Sequence, residues 1–158
     1  MAAATEKGLL DYAWKYFSYH ADQRLKSFNF FLVFIAAGIA GLLAHAEHLD
    51  EPMFGIGGGL GLLVLTFLFW KLDRRHRTLV HVGEKALKAL EEEVVGGQEV
   101  SSLKIFHAEE EETEKLRKAH KFVRYLTCTD CFNLMFALVA LFGAVGVAKG
   151  ILILVAGL

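Results

Sequence analysis

Residues 28–46 read FNFFLVFIAAGIAGLLAHA and residues 53–72 read MFGIGGGLGLLVLTFLFWKL, separated by EHLDEP at 47–52. Neither run carries Asp, Glu, Lys or Arg before its boundary, and each is close to the roughly 20 residues that an α-helix needs to cross a hydrocarbon core. The pair is predicted to be a membrane hairpin with an acidic tip, and Pro52 marks where the second crossing begins. Gly55 and Gly59, and Gly57 and Gly61, repeat at the small-xxx-small spacing that lets helix backbones approach in lipid. Ala37 and Gly41, and Ala40 and Ala44, repeat it on the first crossing. Spacing alone leaves open whether the partner helix belongs to the same chain.

Composition agrees with this reading. Hydrophobic residues make up 54% of the 158, with 15 glycines besides, while 22% are charged. A chain both so apolar and so charged must hold the two kinds in separate blocks, and the net charge of −1 hides their placement. The start, MAAATEKGLL, has no basic segment followed by an apolar one, so no cleavable signal peptide is expected. Two cysteines make no disulfide framework.

Outward from the hairpin, both ends continue as amphipathic helix. Before it, Leu10, Trp14, Phe17, Ala21, Leu25 and Phe28 follow at spacings of 4, 3, 4, 4 and 3, a helical stripe. After it, Leu79, Val82, Ala86, Leu90 and Val94 form a second stripe that Gly96 and Gly97 are expected to end. Ser101 or Ser102 is placed to cap a further helix, in which Glu111 and Lys115, and Glu114 and Lys118, are i,i+4 pairs of favourable order. A third apolar run begins at Cys131, passes Lys149 and ends in GILILVAGL.

The basic residues orient the chain. Of 17 Lys and Arg, four precede the first crossing, twelve lie between Lys71 and Arg124, and Lys149 stands alone near the far end. By the positive-inside rule the N-terminus and the 73–130 block face the cytoplasm.

Enzymatic machinery is not expected. The glycines at 55–61 lie inside a crossing with no Lys-Ser/Thr after them, which is the wrong context for a phosphate loop. Cys128 and Cys131 share a helix face without the second pair a zinc site needs. His45, Glu47 and His48 at the outer tip read as solvated surface residues, and no metal or other cofactor is expected. What remains is a basic face beside the bilayer: Arg74, Arg75, Arg77, His81, Lys85 and Lys88 on one helix, and Arg117, Lys118, Lys121 and Arg124 on another. Three explanations stand. Either the charge serves only topology against anionic lipid, or it is matched internally by residues 91–93 and 109–114, or it binds a phosphate-rich nucleotide or oligonucleotide, with steep salt dependence.

YAWKYFSYHADQRLKSFNFFLVF, FLFWKLDRRHRTLVHVGEKALKALE and SSLKIFHAEEEETEKLR together resemble small bacterial membrane effectors of antiviral defence, the SLATT-like two-helix effectors and the Hailong-type membrane effector. The third apolar run departs from the two-helix pattern. The resemblance implies an oligomeric channel controlled by an oligonucleotide or cyclic nucleotide signal from a partner nucleotidyltransferase. The expectation is therefore an all-α membrane protein, a single domain over 1–158, in a helix-bundle homo-oligomer within the lipid bilayer. It has a cytosolic amphipathic helix at 5–27, crossings at 28–46, 53–72 and 131–156, and a cytosolic helical block at 73–130. Asn133 and Lys149, near the two ends of the third crossing, are the pore candidates, bracketing an apolar gate. The alternative is a non-conducting scaffold whose cytosolic helices bind a protein partner.

Overall fold

The computed structural model describes residues 2–45, 47, 51–95, 105–119 and 127–157. Every regular element among them is an α-helix: α1 (Ala2–Ala44), α2 (Pro52–Val95), α3 (Ile105–Ala119) and α4 (Cys128–Ala156). The amphipathic stretch and the first crossing are one unbroken helix, because no Gly-Pro or turn signal interrupts 9–37. The second crossing likewise runs on into the charged segment. Three helices are long and apolar enough to cross a membrane, within Gly8–Leu42, Pro52–Glu93 and Cys128–Ala156. Ser101 and Ser102, and the glycine pair at 96 and 97, lie outside the described residues.

The helices sort into two compact units. The apolar unit comprises residues 25–74 and 127–158, and the polar unit residues 1–24 and 75–126. In the apolar unit, aromatic rings knit three helices at one level. Phe28 of α1 stacks flat on Phe132 of α4, 3.7 Å between centroids and 4° between planes. Phe31, wholly buried, meets Phe136 at 4.8 Å and Phe69 of α2 at 5.5 Å. Because 28 pairs with 132 and 31 with 136, α1 and α4 run parallel. Phe31 and Phe34 both meet Phe69, while Leu42 reaches Gly58, so α2 is antiparallel to them.

Towards the hairpin tip the contact passes to glycine. A methyl group on Gly59 would lie 2.5 Å from the Gly143 carbonyl oxygen, and one on Gly150 would lie 2.7 Å from that of Pro52. The partner of the Gly55/Gly59 pair is thus α4 of the same chain. Gly57, Gly61, Gly38 and Gly41 meet nothing within 4 Å, so the other small-residue spacings are not used inside the protomer. Lipid gives apolar side chains no reason to prefer each other, so close backbone packing of this kind is what holds such helices together.

α4 starts three residues earlier than the apolar run suggested. Thr127 caps it: the Asp130 amide donates to Thr127 Oγ1 at 3.2 Å, and the Asp130 carboxylate accepts from the Thr127 amide and hydroxyl. This capping box satisfies helix-end donors that the membrane edge would otherwise leave bare.

In the polar unit the contact face of α1 differs from the predicted stripe. Leu10 and Trp14 are exposed; Ala13 is buried, and the backbone and ring atoms of Phe17 and Tyr16 pack where a methyl on Gly83 of α2 would fall, 3.1 to 3.3 Å away. On α2 the buried residues are Gly83 and Leu87, while Val82 is exposed. A helical glycine lets two backbones close, and that approach turns the face away from the one hydrophobicity picks out.

Candidate functional site

α2 carries the first basic group at the end of its apolar run. Arg74 belongs to the apolar unit, its guanidinium 5.6 Å from the Trp70 ring centre, and Lys71 lies 5.9 Å from the rings of both Phe67 and Trp70. Cations over aromatic faces hold charge at a level where an apolar helix meets water. Asp73 beside them is buried at 6% exposure, so the sequence placed in the polar block an acid that packs within the apolar unit.

In the polar unit Arg77, His81, Lys85 and Lys88 recur at 4, 4 and 3 and so share one face of α2. Glu84 divides that face: it pairs with Lys88 at 2.9 Å and with His81 at 3.5 Å. Arg75, Arg77 and Lys85 are exposed and meet no acidic group among the described residues. The nearby acids are engaged elsewhere, Glu91 and Glu92 with His107 of α3 at 3.2 and 3.3 Å, and Glu111 and Glu112 with Lys115 at 4.0 and 3.7 Å. Among the described residues Glu91, Glu92, Glu111 and Glu112 thus pair with His107 or Lys115, and Glu84 pairs with the α2 basic face at Lys88 and His81. Arg117 and Lys118 fall in α3; Lys121 and Arg124 lie outside the described residues. Exposed pairs of this kind contribute about 0–1 kcal/mol each, so the face is held open by the helix and not by its ion pairs.

The two pore candidates stand apart on α4. Asn133 is exposed and lines a groove of about 660 Å³ with Leu63, Thr66, Phe67 and Trp70 of α2 and Phe136, Ala137 and Ala140 of α4. Thr66, 4% exposed, has a hydroxyl with no hydrogen-bond partner in that groove. Sequence reasoning passed over Thr66, although it is the lone hydroxyl in the second apolar run. Lys149 lines a smaller cavity of about 220 Å³ with Gly55, Gly58, Gly59 and Gly146. Between these positions Leu134, Leu138, Leu141 and Val145, and beyond Lys149 also Leu152, form an exposed aliphatic stripe along α4. Cys128 and Cys131 are free and exposed in the first turn of α4. At the hairpin tip His45 Nδ1 lies 3.0 Å from the Gly41 carbonyl oxygen, a local contact at the end of α1.

Residues 7–153, nearly the whole chain, match the octameric membrane protein family. The chain belongs to that family. It is also similar to CD-NTase-associated protein 19 of Escherichia coli, 37% identical over 84 residues that cover 51% of this chain and 54% of the relative. The match thus spans about half the length of that curated relative. No solved structure matches. Family and relative bear out the resemblance to small membrane effectors of antiviral defence, and with them an all-α membrane protein of three apolar helices.

Proposed function

We propose that eight copies of this chain form an ion channel in the bacterial inner membrane, opened or closed by a nucleotide or oligonucleotide signal that a partner nucleotidyltransferase makes. The N-terminus and the 73–130 block face the cytoplasm, and the action is conduction, without enzymatic chemistry. Membership of an octameric membrane family carries the reading. Eight neighbouring helices at about 8–10 Å spacing stand on a circle of roughly 10–13 Å radius, and one helix with its side chains fills only about 5–6 Å of that radius. An axial opening is left. The exposed aliphatic stripe of α4 supports that helix as its lining, since rings of Leu and Val gate by dewetting. Arg75, Arg77 and Lys85 support the signal site, being the exposed cations that Glu84 leaves available. The name of the Escherichia coli relative supports the tie to a nucleotidyltransferase.

Purified protein in liposomes loaded with an ion-sensitive dye tests this. Oligonucleotides and cyclic dinucleotides are added outside and inside, and a change in ion flux is expected with one of them. Vesicles that stay sealed under every condition would overturn the channel and leave the non-conducting scaffold, which a pulled-down protein partner would then identify.

A further inference from the structure

The groove beside Asn133 lacks a partner that its chemistry demands. Thr66 is buried with an unmet hydroxyl, and Asn133 is an exposed amide with no hydrogen bond to another described residue. Once a neighbouring helix covers a primary amide, the water it bonds is lost, and leaving it unpaired is costly. A second such amide, Asn29 on α1, is likewise exposed and has no hydrogen bond among the described residues.

The positions of the two amides are related. Asn29 follows Phe28, Asn133 follows Phe132, and those two rings are stacked, so the amides lie at the same depth. α1 and α4 are parallel, and each successive residue turns by about 100° in the same sense on both. The stacked rings point at each other, so the following residues leave on opposite sides of the plane through the two helices. One protomer thus carries an unsatisfied amide on each flank, at one level. Rotation about an axis along the membrane normal keeps depth, and unlike flanks that meet around such an axis close a ring.

We propose that the Thr66–Asn133 groove is the seat of the next copy of this chain, entered by the flank that carries Asn29, and that Asn29 of the partner subunit supplies the missing hydrogen bond to Asn133. This rests on the octameric reading. The repeated polar ring fixes the angular register of eight copies whose remaining membrane surface is apolar and non-directional.

Cross-linking in native membranes tests it, in a background with C128S and C131S. N29C/N133C, treated with an oxidant or a short bis-thiol reagent, should give a ladder of covalent species up to eight copies, while N29C or N133C alone gives monomers. Dimers from a single variant mean like meets like, and overturn the arrangement. Native mass of the untreated background protein separates the two readings: octamers without a 29–133 ladder overturn this interface alone, and the absence of octamers overturns the assembly with it. N133L, which keeps volume and removes the amide, covers misfolding of the double variant. It should retain the helical signal and weaken each interface roughly 3- to 20-fold, seen as smaller species on dilution in detergent; an unchanged octamer overturns the proposal.

Discussion

Gly59, Gly143 and Gly150 are positions where a methyl group has nowhere to go, each facing a backbone carbonyl across the α2–α4 contact. Gly57 and Gly61 share the same run and face open space. Gly59→Ala should therefore destabilise the protomer by about 1–3 kcal/mol, the usual cost of overpacking. Gly57→Ala should leave it unchanged or slightly stabler. Thermal unfolding in detergent, followed by circular dichroism, reads both. The repeat of small residues was legible in the sequence, but which of its two registers is used was not. Both have the same spacing, and only the facing helix distinguishes them.

At the scale of elements, the aromatic level and the α4 cap set how the crossings assemble. Phe31 touches both neighbouring helices and is wholly buried, so Phe31→Ala should cost about 3–5 kcal/mol and reduce the amount of folded protein recovered from membranes. Thr127→Ala removes the cap from the start of α4 and should cost about 1 kcal/mol, read as a lower unfolding midpoint. Periodicity along the chain specifies the existence and type of the long helices, since runs of this length outlast any competing pattern. It misplaced the inner faces of the polar unit, choosing Leu10 and Val82 where Ala13, Gly83 and Leu87 are buried. Hydrophobicity ranks residues by their wish for burial, while a small residue at a crossing point sets which face can approach.

For the whole molecule, the charged surface and the membrane orientation make the strongest claims. Replacing Arg75, Arg77 and Lys85 together with Glu should abolish binding of a nucleotide signal and spare the octamer, measured by ligand titration and native mass. The parent's affinity should fall by orders of magnitude as salt is raised several-fold, if several phosphates are held. A cysteine at Glu47, in the background lacking Cys128 and Cys131, should react with an impermeant maleimide added to intact cells stripped of their outer membrane, as the orientation proposed from the basic residues requires. Of the basic face that the sequence picked out as one surface, the structure distinguishes Arg74 on the Trp70 ring, Lys88 and His81 on Glu84, and three exposed cations between them.

The sequence by itself determined the class of this protein: an all-α membrane chain with three apolar helices and charged extensions. Those properties follow from run length and blockwise segregation, which need no knowledge of contacts. Tertiary structure alone decided that the hairpin's glycines serve α4 and that Phe28 and Phe132 share a level. It also showed that Thr66 is buried unmet beside Asn133. These depend on the rotation and depth of one helix against another. In a lipid-like setting that choice rests on close packing and a few polar groups, which a one-dimensional pattern of apolar residues does not encode.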